Sequence, residues 1–250
     1  MAEFAGRCVG LIADSHGNLD ATAEAIRLLK ARGADTLFHL GDFCDSILRD
    51  RASAMIRLLR EHGVLAVKGN NDFFVESMLT DERRRTEPED KPAVAYLRDV
   101  PFTRSLDGLL FAHSLPYDSF RSFYEPIDTG TTRRAERLFA ETDFQLLFCG
   151  HSHLPILFRK AGGTVTREQV PPEVKLLLGG AREAPAAGGE RWPAEQTGAS
   201  RFIVVVGSAD EGECALYDRG AGVYERIRIF PTDPLPKNGG ALPRIPPGKP

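Results

Sequence analysis

The chain has 250 residues, and its 32 Lys plus Arg against 35 Asp plus Glu give a formal net charge of −3. This balance offers no strong footprint for a nucleic-acid backbone or an anionic membrane, and it favours a small, locally recognised substrate. The hydrophobic fraction of 42% is enough for a continuous core, and no stretch approaches the ~18 apolar residues of a membrane span.

The cysteines predict neither a disulfide framework nor a zinc finger. Cys8, Cys44, Cys149 and Cys214 lie far apart and form no CxxC pair. The N-terminal apolar run of about five residues is shorter than the roughly 7–15 residues of a signal-peptide core. We therefore expect a cytoplasmic protein with reduced thiols and no membrane partner.

Short apolar runs along the chain have the length and the β-branched or aromatic content of buried strands. They cover residues 9–13, 36–40, 64–67, 109–112, 146–149 and 202–206. Helical patterns at residues 19–32 and 46–62 separate the first three runs, with Asn18 as a cap and Gly33 and Gly63 as stops. This alternation predicts a parallel sheet with right-handed crossovers.

The second half of the chain is less regular. Residues 158–174 and 202–230 have the pattern of a meander of short strands, which predicts a second, mixed sheet packed on the first. The composition of residues 179–200 predicts a flexible insertion, and the Pro- and Gly-rich residues 231–250 predict a disordered tail. We expect one domain over residues 1–230.

Polar residues follow the first five runs at the point where each predicted strand ends. In order, they are Asp14-Ser15-His16, Gly41-Asp42, Lys68-Gly69-Asn70, His113 and Gly150-His151-Ser152-His153. Ligands of parallel α/β sheets bind beyond the carboxyl ends of the strands, so we expect these side chains to converge on one edge of one sheet.

A subset of these residues offers hard oxygen or imidazole ligands: Asp14, His16, Asp42, Asn70, His113, His151 and His153. Such a mixture without thiolates suits Mn²⁺, Fe²⁺ or Zn²⁺. Taken alone, Asp42 or Asn70 is more typical of a turn, and a lone histidine is more typical of a packed interior. Their recurrence at the ends of apolar strands predicts a metal site.

Five short blocks carry a resemblance to a known family: DSH at 14–16, GDFCD at 41–45, GNND at 69–72, AHS at 112–114 and GHSH at 150–153. In order and spacing they resemble those of the calcineurin-like metallophosphoesterases, particularly the small bacterial and archaeal phosphodiesterase branch. The resemblance spans residues 9–208. With the strand pattern, it predicts an α/β fold: a four-layer αββα sandwich, two mixed sheets flanked by helices, with the metal site at the carboxyl ends of the strands.

The resemblance also implies a mechanism, in which two divalent ions activate a bridging hydroxide that attacks a phosphodiester, a phosphomonoester or a nucleotide anhydride. Mn²⁺ is favoured over Fe, Zn or Ni. Asp14, His16 and His153 would bind the first ion, Asn70, His113 and His151 the second, and Asp42 would bridge them. The candidate catalytic residues are Asp42, Asn71 and His113, and the candidate substrate contacts are Asn70, Asn71 and Phe73.

Two positions depart from the family pattern. Many relatives have a histidine after the ligand asparagine, whereas this chain has Asn71, which cannot supply a proton near pH 7. We therefore expect water or the metal site to protonate the leaving group, which favours good leaving groups. Residues 205–210 read VVGSAD, where relatives tend to have an NPGS-type segment and a Pro-Arg pair. We therefore do not expect this chain to make the substrate contact that relatives make in that segment.

Two alternatives to this function remain open from the sequence. Aromatic residues just after two metal-binding segments suggest a dinucleoside polyphosphate hydrolase if they stack on a base, although ordinary packing is the more usual role for most of them: Phe73, Phe74, Tyr117, Phe120, Phe123 and Tyr124. The same fold also serves as a non-catalytic scaffold. The expected partner is a small phosphate-containing substrate, a nucleotide included, and a homo-oligomer is left open.

Overall fold

The computed structural model describes residues 7–81, 91–178 and 200–230. Within these ranges the chain forms two six-stranded mixed sheets flanked by helices, which confirms the predicted α/β sandwich. Of the segments predicted to be flexible, residues 231–250 and all of 179–200 except Ser200 lie outside the described residues. The extent of a single domain over residues 1–230 stays a prediction.

Each sheet contains a block of three parallel strands, which antiparallel strands extend on one side in the first sheet and on both sides in the second. The strands are β1 (Cys8–Ile12), β2 (Thr36–His39), β3 (Leu65–Ala66), β4 (Thr103–Leu106), β5 (Leu109–Ala112), β6 (Leu146–Cys149), β7 (Ile156–Ala161), β8 (Thr164–Gln169), β9 (Lys175–Leu177), β10 (Arg201–Val205), β11 (Glu213–Asp218) and β12 (Val223–Arg228). The first sheet has the order β3-β2-β1-β11-β12-β9, and the second β4-β5-β6-β10-β7-β8. The parallel blocks are β3-β2-β1 and β5-β6-β10.

The prediction that all ligand-bearing strands share one sheet is wrong. Strands β1, β2 and β3 belong to the first sheet, whereas β5 and β6 belong to the second. The meander is also divided, because β7 and β8 extend the second sheet while β11 and β12 extend the first. Both parallel blocks are apolar on both faces, so the local pattern does not indicate which sheet a strand joins.

The core between the sheets holds their parallel blocks face to face. Val9 and Leu11 of β1 belong to the same buried cluster as Phe148 of β6. The rings of Phe38 on β2 and Phe111 on β5 stack with centroids 3.8 Å apart. This packing fixes the position of the strand ends of one sheet relative to those of the other.

Helices cover the outer faces of both sheets. They are α1 (Leu19–Ala31), α2 (Ala52–Glu61), α3 (Asn70–Thr80), α4 (Lys91–Asp99), α5 (Arg121–Tyr124) and α6 (Arg133–Glu141), with a 3-10 helix at Arg49–Arg51. Leu29 of α1 and Met55 of α2 are buried in one outer cluster, and Leu138 of α6 is buried in another. No helix in the described ranges is long and apolar enough to cross a membrane.

The first predicted helix is confirmed, and the second begins later than predicted. Asn18 Oδ1 accepts a hydrogen bond from the Ala21 amide at 3.1 Å and caps α1. Regular structure expected from residue 46 starts only at Arg49, because Asp45 Oδ1 accepts from the amides of Ile47 and Leu48 at 2.6 and 3.1 Å and closes a turn. Helix α3 was not predicted, since its buried residues, Asp72 and Val75, make no apolar stripe.

Candidate metal centre

The seven predicted ligands come together where the loops of both sheets meet. From the first sheet, Asp14 and His16 follow β1, Asp42 follows β2 and Asn70 follows β3; from the second, His113 follows β5, and His151 and His153 follow β6. Every member of the set has a potential ligand atom within 4.0 Å of another member. The structure therefore brings all seven predicted ligands into one site.

One group consists of Asp14, His16 and His153, whose ligand atoms lie within 4.8 Å of one another. The Nε2 atoms of His16 and His153 are 3.1 Å apart. Nε2 of His153 is also 3.7 Å from Asp14 Oδ1. Two imidazole nitrogens and a buried carboxylate oxygen thus face a common point, which is a suitable geometry for one cation. We call this group the first half-site.

A second half-site is built around His113. Its Nδ1 lies 2.9 Å from the carbonyl oxygen of Leu40, which can only accept, so the proton resides on Nδ1 and the Nε2 lone pair faces inward. Nε2 is 3.1 Å from Asn70 Oδ1 and 3.1 Å from His151 Nδ1. Asp42 Oδ2 is 3.5 Å away, and Asp42 also groups with Asp14 and His113, between the half-sites.

The orientation of the Asn70 side-chain amide bears on whether these groups suit a metal ion. In one orientation its oxygen faces only the acceptors His113 Nε2 and His151 Nδ1. Turned over, its NH₂ would donate to those two atoms and to the Phe123 carbonyl, at 3.1 to 3.2 Å. In this turned orientation the amide oxygen also accepts from the side-chain and backbone amides of Asn71 at 3.1 and 3.2 Å, so the amide is satisfied without a cation. The first orientation places lone pairs against lone pairs and is favourable only when a cation lies between them. Oxygen and imidazole donors without a thiolate fit Mn²⁺, Fe²⁺ or Zn²⁺.

The electrostatics of the site also favour a cation. Burial and then the charge of Asp42 raise the pKa of Asp14 well above its ordinary value. Burial lowers the pKa of His151 to about 4 and also lowers that of His113. The imidazoles of His113 and His151 are therefore neutral near pH 7, as metal ligation requires. A buried carboxylate such as Asp14 is costly unless a cation lies beside it.

Asn71 holds Asp42 in place. Its backbone amide donates to Asp42 Oδ1 and its side-chain amide donates to Asp42 Oδ2, both at 2.8 Å. Burial acts to raise the pKa of Asp42, but the adjacent His113 imidazole and these two hydrogen bonds outweigh burial and leave the pKa below its ordinary value. Asn71 therefore has a positioning role, in addition to the catalytic and substrate contacts predicted for it.

Asp72 is a site residue that the sequence analysis did not identify. It is fully buried, and its carboxylate accepts from the backbone amides of Asp42, Cys44 and Gly69 at 2.8, 2.8 and 2.9 Å. It ties the loop after β2 to the loop after β3. The sequence feature that could have identified Asp72 is an acidic residue at the third position of a helix that begins after a glycine. At this position carboxylates cap backbone amides.

The histidines of the two half-sites have different groups behind them. In the first half-site, Nδ1 of His16 is 3.7 Å from Asp45 Oδ2, and Nδ1 of His153 is 3.5 Å from Glu211 Oε1. In the second, His113 bonds the Leu40 carbonyl and His151 bonds the backbone of Tyr124. Carboxylates behind the imidazole raise its basicity as a ligand. Asp45 is the last residue of the GDFCD block, whereas Glu211 belongs to none of the five blocks and was not identified from the sequence.

Backbone strain is concentrated at this site. Among the described residues, those other than glycine with positive φ are Asp14, His16, Asp42, Asp107, His151, His153 and Glu173, and five of these seven are predicted ligands. Each left-handed residue costs on the order of 1 kcal/mol. Hydrogen bonds between loops hold the shape, including His16 N to Asp42 O at 2.9 Å and Gly150 N to His113 O at 2.9 Å. Such clustering is typical of functional sites.

Two further residues lie beside the ligands. His39 is buried, burial lowers its pKa to about 3, and its Nε2 is 2.8 Å from Ser15 Oγ, so it braces the loop between Asp14 and His16. Phe73, a predicted substrate contact, is half-buried on α3, and its ring centroid is 5.0 Å from that of Phe120. Its contact with substrate stays a prediction.

Comparison with solved structures agrees with the fold. The fold is similar to a metallophosphoesterase from Sphaerobacter thermophilus, at 19% identity over 89% of this chain and 88% of that one, with a TM-score of 0.64. It is also similar to a protein of Thermus thermophilus, at 12% identity over 90% of this chain and 100% of that one, with a TM-score of 0.51. No curated protein sequence matches significantly.

At these identities the solved structures establish a shared fold alone. The family match is a separate finding, and it covers residues 8–178, more than half of the chain, with the calcineurin-like phosphoesterase superfamily domain. This range contains all seven predicted ligands. The chain therefore belongs to the calcineurin-like phosphoesterase superfamily.

Proposed function

We propose that this protein is a binuclear metal-dependent phosphoesterase that hydrolyses a phosphodiester, a phosphomonoester or a nucleotide anhydride. One observation carries the proposal: seven side chains with oxygen or imidazole ligand atoms converge on one site from both sheets. Membership of a phosphoesterase superfamily supports the reaction class.

In this proposal the half-sites hold one ion each, and Asp42 lies between them. Asp14, His16 and His153 are the ligands of the first ion, and Asn70, His113 and His151 are those of the second. Two bound divalent ions would lower the pKa of a water molecule and neutralise charge on the phosphoryl oxygens. Mn²⁺ is our preferred ion, because the donors are carboxylate and amide oxygens together with imidazoles.

The chain's own residues preorganise this chemistry. Asn71 and Asp72 fix the carboxylate and the backbone of Asp42, so the bridging position needs no rearrangement when substrate binds. The Leu40 carbonyl keeps the proton of His113 away from the site. Asn71 cannot supply a proton to the leaving group. In our proposal, water protonates the leaving group instead.

The non-catalytic scaffold is less well supported than the enzyme. A scaffold would gain nothing from left-handed backbone at five ligand positions or from a buried carboxylate such as Asp14 with a raised pKa. Both features are costly to folding and are useful for binding cations.

The test compares Mn²⁺-loaded wild type with Asp42→Asn on bis(p-nitrophenyl) phosphate. Asparagine keeps the shape but loses the charge, and we expect kcat/KM to fall at least ~100-fold, since even residues behind the ligands often cost 10–100-fold. Asp99→Asn, a change at an exposed aspartate at the end of α4, is the matched control and should keep wild-type activity. Wild-type turnover by Asp42→Asn would exclude the mechanism.

A further inference from the structure

Exposed apolar side chains lie on the segments that follow the predicted ligands, which we call the rim of the metal centre. Among the described residues, the exposed large hydrophobic side chains are Ile47, Phe74, Phe120, Tyr124, Leu154 and Leu177. All except Leu177, on β9, lie on segments that follow a predicted ligand. Exposed apolar surface gathered around one site is typical of contact with a ligand.

Part of this rim is an aromatic wall, defined here as Phe73, Phe102, Phe120, Phe123 and Tyr124. Phe123 is fully buried at its centre, with ring centroids 5.5, 5.4, 6.0 and 4.7 Å from those of Phe73, Phe102, Phe120 and Tyr124. Phe120 and Tyr124 are 57% and 48% exposed. The buried ring of Phe123 therefore supports the two exposed rings of Phe120 and Tyr124. Packing explains the position of Phe123, but it does not explain why the other two rings are exposed.

The backbone of the wall is joined to the second half-site. The carbonyl of Phe123 is 3.1 Å from a terminal atom of the Asn70 amide. The imidazole of His151 hydrogen-bonds to the backbone of Tyr124. Phe73 lies one helical turn after Asn70 on α3. A substrate with its phosphate at the metal centre would thus have the wall directly at its side.

The charged groups closest to the wall are paired. Arg121 Nε is 3.1 Å from Glu125 Oε1, and Arg134 Nη2 is 3.6 Å from Glu125 Oε2. Lys68 Nζ lies 5.8 Å from the ring centroid of Phe102 and 2.8 Å from Glu76 Oε2. The side chains of the wall are uncharged, so the exposed rings offer a partner ring faces and apolar contact. A planar aromatic group is the partner that such a surface binds best.

We propose that the aromatic wall is a subsite that stacks a nucleobase, and that Phe120 and Tyr124 determine specificity for nucleoside phosphates over phosphates without a base. This inference rests on the proposed function, in which the metal centre binds the phosphate, and it narrows the substrate class. Stacking of a base on an aromatic side chain corresponds to roughly 5- to 150-fold in affinity.

The test uses two ligands that differ only in the base. Calorimetric titration of the Mn²⁺-loaded protein with adenosine 5′-monophosphate and with ribose 5-phosphate should show at least ~5-fold tighter binding of the nucleotide. Phe120→Leu keeps apolar volume without a ring, and Phe120→Ala and Tyr124→Ala remove the side chain; each should reduce this preference. Leu177→Ala, at a side chain that is 67% exposed on β9, should leave it unchanged.

The outcomes separate this inference from the proposed function. Equal affinity of the wild type for both ligands would overturn the nucleobase subsite and leave the phosphoesterase proposal standing. A preference that survives in all three wall variants would also overturn it. Failure to bind either ligand would overturn the nucleobase subsite, and the turnover of bis(p-nitrophenyl) phosphate decides the proposed function separately. Base-dependent binding without phosphodiester turnover would overturn only the proposed hydrolysis.

Discussion

Asn71 links the geometry of Asp42 to the choice of substrate. Both of its amide groups bond the carboxylate of Asp42 at 2.8 Å, at a position where many members of the family have a histidine. An amide cannot donate a proton near pH 7, so a poor leaving group would depart without help from this side chain. The proposed enzyme should therefore depend steeply on the basicity of the leaving group.

Asn71→His should raise the hydrolysis of phenyl esters by up to ~100-fold relative to that of p-nitrophenyl esters, because an imidazolium can protonate the poorer leaving group. Steady-state rates on matched phenyl and p-nitrophenyl diesters measure this ratio. Equal changes on both substrates, or no change on either, would contradict a role for this position in leaving-group protonation.

Glu211 makes the two half-sites unequal. It lies 3.5 Å behind His153, whereas the second half-site has backbone groups behind His113 and His151. Glu211→Gln should weaken binding of one of the two ions by ~10-fold and leave the other unchanged. Titration with Mn²⁺ at constant pH measures both affinities. Glu168→Gln, at an exposed glutamate on β8, is the control and should change neither affinity. If both affinities are unaltered in Glu211→Gln, Glu211 does not support His153 as a metal ligand.

At the scale of the elements, glycines at the strand ends allow the carboxylates to pack against backbone. A Cβ on Gly69 would lie 2.1 Å from Asp42 Oδ1, and one on Gly150 would lie 2.4 Å from Asp14 Oδ2. Neither distance is sterically allowed, so an alanine at either position must displace a predicted ligand. These loops therefore combine a ligand with a residue that makes room for it.

Gly69→Ala and Gly150→Ala should each lose at least one bound ion while keeping the secondary structure. Metal analysis after dialysis against Mn²⁺, together with circular dichroism, measures the two effects. Gly163→Ala is the matched control, because no atom lies within 4 Å of its added Cβ. Wild-type metal content in Gly69→Ala would contradict the placement of Asp42 as a ligand.

The strand ends were the most predictable part of the fold. Asp14, Asp42 and His113 could be identified because each follows a short apolar run directly. The start of α2 was missed because the side chain of Asp45 closes a turn, and Asp72 was missed because its partners are backbone amides in other loops. The Asp45 turn is local but competes with the helical pattern, whereas the bonds from Asp42 and Cys44 to Asp72 depend on which segments meet in space.

At the scale of the molecule, the site exists only when the two sheets are packed together. Asp14 and Asp42 extend from the first sheet and His113 and His151 from the second, with the Phe38–Phe111 stack between the sheets. Sequence periodicity could not assign these strands to two sheets, since each run is buried on both faces. Metal binding and packing of the sheets should therefore be coupled.

Anomalous scattering from crystals soaked in Mn²⁺ tests the central claim most directly. We expect two peaks about 3.5–4 Å apart, with Asp42 between them, one beside Asp14, His16 and His153 and the other beside Asn70, His113 and His151. A single peak, or no peak among these residues at saturating Mn²⁺, would contradict a binuclear centre.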